Sequence, residues 1–588
     1  MSRRLLFVVL GLAACSPSAR SSAPTPAPAS SPAAVAPAAP PASGIAEGWR
    51  FASGARITDA PSAVIVSGSP IASEVGRDIL RAGGNAVDAA TAIGFALAVV
   101  HPEAGNIGGG GFSVIRLADG AVHALDYREA APARATREMY VDLSGNVTDQ
   151  SVTGHLAAGT PGAVAGLVEQ HRRFGRLPWR QVIEPAVRLA RDGFLVDRYR
   201  MLSIDDDRFR LSLFPASRQQ FLPGGRPPLE GSIWAQPDLA RTLGAIRDRG
   251  RDGFYRGRVA DLIVAEMERG GGLISHDDLA RYEAKWREPI VIRYRGHTIY
   301  SMAPASSGGV TLALILNQME GFGPLPPFGS AELMHLEAEA MRRAFSDRNH
   351  YLGDPDAVPM PLARLTSKPY ADSLRSTIAR DRATPSDSVQ PGLGDGMHTT
   401  HYSVVDAEGN AVSTTTTLNN SYGSAVTVEG AGFLLNDEMD DFTSKPGAAN
   451  MYGLIQGEAN AIAPGKRMLS AMTPSIVVDS AGRLLMVVGT PGGPTIITQV
   501  YHVISNVLDH GMSLGEAVAA PRTHHQGLPD ALRVERGGFQ PAALAGLERL
   551  GHSITLRGQW GDVEAIIRTP AGWQGVSDPR LGGGGAGY

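Results

Sequence analysis

Two adjacent threonines lie in the segment His398-Thr399-Thr400-His401-Tyr402-Ser403-Val404-Val405-Asp406. A threonine hydroxyl is a poor nucleophile unless a base stands within hydrogen-bond reach. The spacing alone fits an ordinary hairpin edge equally well, because threonine is common in strands. Other groups narrow the chemistry. The neighbours His524-His525 point differently along a chain, and no nearby Cys or Asp set completes a metal site, so no metal is expected. Gly108–Gly111 lacks the Lys-Ser/Thr that a phosphate loop requires, and no dinucleotide fingerprint is present. Cys15 is the only cysteine, which rules out internal disulfides. A net charge of −4 gives no electrostatic footprint for nucleic acid, and a small-molecule or peptide substrate fits better.

The elements that must position these groups follow from periodicity. Apolar residues at helical spacing predict helices over Ile71–Arg81, stopped by Gly83-Gly84, and over the nearly all-apolar Ala86–Val100. The second contains Asp88 and is about four turns long, so it is a buried core helix and not a membrane span. Amphipathic stretches follow at Ala163–Phe174, Trp179–Asp192, Asp238–Asp248 and Ala331–Arg348, with strand-like pieces at Phe112–Leu117 and Ile290–Tyr294. After position 398 the chain turns strand-rich. His401–Val405 and Ala411–Leu418 flank a hairpin turn at Asp406–Asn410. Leu484–Val488, Leu532–Glu535 and Val563–Arg568 read as strands, and Ile496–Leu508 and Leu514–Ala519 as helices. Strand-rich blocks flanked by helices suggest layered α+β, with sheet packed on sheet and helices outside.

The chain opens MSRRLLFVVLGLAAC: two arginines, a short apolar run, then small residues up to Cys15. This predicts a signal peptide over residues 1–14, too short for a permanent span. Leu12-Ala13-Ala14-Cys15 looks like a bacterial lipobox, with Cys15 lipidated, and Ser16 suits outer-membrane sorting. Residues 15–50 read as a lipidated cysteine and an Ala/Pro/Ser-rich linker that cannot build a core. The expectation is an exported lipoprotein, held in the periplasm or at the outer membrane by its acyl chains.

From about Phe51 to Tyr588 the residues resemble the γ-glutamyltransferase family (glutathione hydrolases), members of the N-terminal nucleophile hydrolases. The resemblance rests on strings in order: GGNAVDAA at 83–90, HPEAGNIGGGGF at 101–112, DYREAAP at 126–132, GTPGAVAG at 159–166, SSGG at 306–309 and YLGDPD at 351–356. TTHYSVVD at 399–406, LLNDEMDDF at 434–442, GTPGG at 489–493, PRTHHQ at 521–526 and SDPR at 577–580 complete the series. It implies a four-layer αββα sandwich built jointly by two subunits. It also implies self-cleavage between His398 and Thr399, giving a large subunit over 51–398 and a small catalytic subunit over 399–588.

The physical logic of that cleavage is that it frees an α-amine, whose ordinary pKa of about 7.7–8.0 makes it a usable base beside the Thr399 hydroxyl. Before cleavage the same hydroxyl can attack the His398 carbonyl. The resemblance assigns Thr417 to support the nucleophile and the Gly492 and Gly493 N–H groups to the oxyanion. It assigns Arg128 to a donor carboxylate and Glu438 and Asp441 to its ammonium, with Asn419 and Ser470 adding neutral hydrogen bonds. Without the resemblance, Arg128 would be a surface pair with Glu129, Asp440-Asp441 a solvated loop, and Thr414–Thr416 plain strand surface. Lys445–Gln456, with Tyr452, resembles a lid, and Pro446-Gly447 and Gly453 would let it move. One departure stands out: Ala471 follows Ser470 where the family usually has a second serine, which removes one hydrogen bond to the donor. The implied reaction cleaves glutathione and other γ-glutamyl compounds through a γ-glutamyl–Thr399 ester. Water, amino acids or dipeptides act as acceptors, and no cofactor is required. The rivals are a glutaryl-cephalosporin acylase and a ligand-binding lipoprotein without turnover.

Overall fold

The computed structural model describes residues 44–386 and 399–588, apart from Pro446, Gly453 and Ile455. The leader over 1–14, Cys15, the spacer up to residue 43, His398 and the hinge residues Pro446 and Gly453 lie outside the described residues.

Two seven-stranded sheets form the centre, and every pairing in both is antiparallel. One sheet runs in space Gly584–Gly587, Val64–Ser67, Thr400–Val405, Ala411–Thr417, Gly110–Arg116, Val122–Asp126, Lys285–Arg287. The other runs Arg56–Ala60, Gly572–Ser577, Glu564–Thr569, Leu484–Gly489, Ser475–Val478, His297–Ser301, Ile290–Tyr294. The sheets face one another, and helices cover both outer faces, so the architecture is αββα as the resemblance implies.

Strand alternation decides which core each side chain joins. Ile65, Ile115, Val404 and Val412 point outward to a cluster with the helix Ala86–Val100. Their neighbours Val64, Val66, Val114, Val405 and Ala411 point inward, with Ile476, Val487 and Ile566 of the facing sheet. Both faces are buried, so these strands read as continuous apolar or Thr-rich runs without polar alternation. The Ala86–Val100 helix is buried along its whole length and is closed at its start by a capping box of Asn85 and Asp88. Among the described residues no helix is long and apolar enough to cross a membrane.

Two expectations need correction. Residues 44–50, drawn within the linker, are packed: Ile45 bridges Phe539, and the Trp49 indole N–H donates to Ala519 O at 2.9 Å. Thr414–Thr416 are not strand surface. Thr414 Oγ1 meets Ser113 Oγ at 2.9 Å, Thr415 Oγ1 meets His401 Nδ1 at 2.8 Å, and Thr416 Oγ1 donates to Gly110 O at 2.7 Å. Each hydroxyl is buried because the strand lies in the middle of its sheet, covered on both faces.

Candidate active site

Thr399 stands one residue ahead of the strand Thr400–Val405. Register brings it to Thr417: Thr400 opposes Thr416, so the next pair along the hairpin is Thr399 and Thr417. The Thr399 hydroxyl donates to Thr417 Oγ1 at 3.4 Å, and Thr417 Oγ1 accepts the Asn419 N–H at 2.8 Å. Just beyond the strand, Asn419, Tyr422 and Ala425 have φ of 82°, 57° and 63°, left-handed values that non-glycine residues hold only when their surroundings enforce them. Here Asn419 Nδ2 donates to Asp437 O at 3.0 Å and the Asn420 N–H to Asp437 Oδ1 at 2.9 Å.

Thr399 and Thr417 share one pocket with Arg128, Asn419, Glu438, Asp441, Tyr452, Ser470 and Gly493. Chain positions from 128 to 493 thus converge on one site. Arg128 is 1% exposed. Its Nη1 lies 2.6 Å from Glu438 Oε2 and 3.5 Å from Glu129 Oε2, and its Nη2 pairs with Asp441. The surface pair with Glu129 and the solvated Asp440-Asp441 loop are therefore both overturned. All these groups are buried, the acids on a short 3-10 turn, Glu438–Asp441. The Ser470 hydroxyl accepts the Met472 N–H at 3.1 Å, and Ala471 beside it also lines the pocket.

A second guanidinium, missed in the sequence, completes the charge pattern. Arg348 is fully buried in the pocket wall, its Nε donating to Ser307 Oγ at 2.9 Å. Burial pulls it down to about 10 against the attraction of Asp441, so it stays a cation at neutral pH. Its signal was position: it lies three residues before the string YLGDPD. Burial pushes the carboxyls of Glu129, Glu438 and Asp441 up while Arg128 opposes the shift. Three carboxyls and two guanidiniums thus share one buried cluster.

Gly493 lines the same pocket as the threonines, and Gly492 precedes it without lining the pocket; their φ are 53° and 137°, and neither N–H donates to an acceptor among the described residues. The segment expected to be a lid is tied down: the Tyr452 hydroxyl donates to Asn419 O at 2.9 Å and also contacts Asn419 Oδ1. The Met451 N–H donates to Asp440 Oδ2 at 2.9 Å, and burial raises Asp440 to about 6.

His524 and His525 separate as expected. His524 bonds Thr498 and Gln526, whereas His525 faces Asp530. His335, Glu339 and His552 do meet. However, the two rings hydrogen-bond each other at 2.8 Å, and Glu339 is saturated by Arg343 and Thr384. These bonds, with His335 Nε2 against Ala379 O at 2.7 Å, already engage both rings and the carboxylate.

The gamma-glutamyltranspeptidase family model matches residues 72–588. The chain belongs to the gamma-glutamyltranspeptidase family. Within it, the chain is 46% identical over 530 residues to a glutathione hydrolase proenzyme of Escherichia coli (strain K12), an alignment covering 89% of this chain and 91% of the relative. It is 39% identical over 519 residues to an acylase proenzyme of Pseudomonas sp. (strain SE83), covering 87% and 90%. Among solved structures, a cephalosporin acylase from Bacillus halodurans superposes with a TM-score of 0.80 at 28% identity, covering 90% of this chain and 97% of that one. Helicobacter pylori gamma-glutamyltranspeptidase superposes with a TM-score of 0.53 at 46% identity, covering 55% and 93%. Both branches of the gamma-glutamyltranspeptidase fold, hydrolase and acylase, are therefore near, and the pocket charges must discriminate between them.

Proposed function

We propose that the protein is a self-processed γ-glutamyl hydrolase and transferase acting on glutathione and related γ-glutamyl amides. The observation that carries this reading is the Thr399–Thr417 hydroxyl pair facing a pocket walled by Arg128, Glu438 and Asp441. In the precursor the Thr399 Oγ attacks the His398 carbonyl, the peptide nitrogen leaves, and water hydrolyses the resulting ester. The freed amine then takes the Thr399 hydroxyl proton as Oγ attacks the γ-amide carbon. The Gly492 and Gly493 N–H groups receive the oxyanion, and the proton passes to the departing amine. Water releases glutamate, whereas an amino acid or dipeptide yields a new γ-glutamyl product.

Donor binding is an exchange of ion pairs. The substrate α-carboxylate takes the fork of Arg128, and the α-ammonium takes Asp441 and Glu438, so no buried charge is left alone. Asn419 and Ser470 add neutral bonds, and Tyr452 closes over the donor. The nearer rival, a glutaryl-cephalosporin acylase, presents no amine to these carboxylates. We further assign the chain to export by its 1–14 leader and to membrane anchorage through lipidated Cys15, with the 51–398 and 399–588 pieces remaining paired.

The test is release of a chromogenic aniline from a γ-glutamyl anilide, with and without dipeptide acceptor, alongside a denaturing gel. Two pieces on the gel, and loss of release in Thr399→Ala, are expected. Equal release by that variant would reject the assignment.

A further inference from the structure

The Gly492-Gly493 turn has no side chains of its own, so something beneath it must decide where its N–H groups point. The group in contact with it is Gln499, on the first turns of the helix Thr495–Leu508 and wholly buried. Its amide is saturated. Nε2 donates to Pro491 O at 3.0 Å and to Thr495 Oγ1 at 2.9 Å. Oε1 accepts from Thr490 Oγ1 at 3.0 Å and from Arg522 Nη1 at 3.1 Å. Two donors and two acceptors are all that a primary amide has, and arginine can only donate, so the oxygen must face Arg522 and the nitrogen Pro491.

A trans peptide points its C=O and N–H in opposite directions. With Pro491 O held toward Gln499, the Gly492 N–H is turned away from it. The next peptide is fixed in the same way, because Thr495 Oγ1 donates to Gly492 O at 2.7 Å and so turns the Gly493 N–H away. Gly493 lines the Thr399 pocket. The glycine at 492 is needed twice over. Its φ is 137°, and a Cβ there would lie 2.5 Å from Thr495 Oγ1 and 2.6 Å from Gln499 Nε2. Gly561 makes room on the other side, where a Cβ would sit 1.6 Å from Gln499 Oε1.

Gln499 is itself braced. Arg522 Nη1 also donates to Trp560 O at 2.5 Å, and its Nη2 pairs with Asp578 at 2.5 Å. Arg580 joins Asp578 to Glu535 at 3.1 and 2.7 Å. Arg522 of the string PRTHHQ and Asp578 of SDPR thus meet under the turn.

We propose that Gln499, held by the Arg522–Asp578 brace and working with Thr495, is a positioning residue that sets both peptide planes of the oxyanion site. This rests on reading Gly492 and Gly493 as the oxyanion donors and Thr399 as the nucleophile. A positioning residue of this kind governs the height of the tetrahedral barrier and not the binding of the donor.

The test compares Gln499→Met, which keeps length and loses both donors, with Thr495→Val, which keeps shape and loses the hydroxyl. Rates on a γ-glutamyl anilide are normalised to the processed polypeptide on a denaturing gel. Deleting one oxyanion donor outright lowers kcat by about 10²–10³; loss of its orientation is expected to lower kcat by about ten- to a hundredfold in each variant. KM should change by less than about threefold, and inhibition by a γ-glutamyl boronate analogue, whose tetrahedral adduct needs the same donors, should weaken in parallel with kcat. If Gln499→Met does not mature, Thr495→Val alone decides. A normal kcat in a processed variant, or a rise in KM with unchanged kcat, overturns the inference while Thr399→Ala remains inactive. Aniline release by Thr399→Ala instead overturns the reading beneath it.

Discussion

Arg348 and Ala471 carry the sharpest predictions at the level of single side chains. Arg348 keeps its charge while fully buried, with Asp441 as its attracting acid. Replacing it by alanine removes that attraction on Asp441 and the charged donor to Ser307, Asn349 and Gln456, and losing one charged hydrogen-bond partner costs about 1.5–3 kcal/mol. The expected outcome of Arg348→Ala is a KM for a γ-glutamyl anilide raised by at least tenfold, read from initial rates. Ala471→Ser restores a hydroxyl beside Ser470, and one added hydrogen bond of about 0.5–1.5 kcal/mol should lower KM up to tenfold without raising kcat. An unchanged KM would mean that this position does not reach the donor. Ala471 was visible in the sequence because it follows Ser470, where the family usually has a second serine. Arg348 was not, since an arginine inside an amphipathic helix looks like any solvated one until the fold shows which way it faces.

At the level of elements, the two sheets approach one another closely at Gly489 and His401. A Cβ on Gly489 would lie 2.2 Å from His401 Cε1. His401 fills the space between the sheets, and burial lowers it to about 3, so it is a neutral spacer and not a base. Overpacking a filled core costs about 1–3 kcal/mol. Gly489→Ala is therefore expected to lower the melting temperature by several degrees and to slow turnover, because the same strand leads into the Gly492 turn. Calorimetry and anilide kinetics on one preparation check both effects. Element types and many ends were legible: Ala86–Val100, Ala163–Phe174, Trp179–Asp192, Ile290–Tyr294 and Leu514–Ala519 fall where periodicity places them. The Gly584–Gly587 strand was not, because its glycines have no strand preference and pair only by lying along Val64–Ser67.

For the whole molecule, both sheets take strands from either side of residue 399, so scission does not divide the fold into separable halves. The halves also meet at buried histidines. His552 contacts His335 of the helix Ala331–Tyr351, and His525 faces Asp530, which holds Arg342 and the Ser386 N–H. Burial holds His525 and His552 near 4, below their ordinary 6.5. Lowered histidines bind protons less readily folded than unfolded. Their contribution is therefore complete above about pH 6.5 and is lost as the pH falls toward 4. The expected outcome is a melting temperature that drops between pH 6.5 and 4, with the two pieces separating on gel filtration near pH 4. His552→Asn should flatten that slope. A midpoint equal at pH 7 and 4.5 would contradict it.

The amino-acid sequence alone determined the family and the layered α+β class, and it named the candidate nucleophile segment and donor residues. Those depend on local strings, on periodicities of two and 3.6, and on residue types that chemistry restricts. Tertiary structure alone decided which buried charges share one pocket, that Arg348 belongs among them, and that Gln499 lies beneath the glycine turn. These are contacts between residues tens to hundreds of positions apart, or orientations of a peptide plane. A linear order of residues does not encode them until the two sheets close over one another.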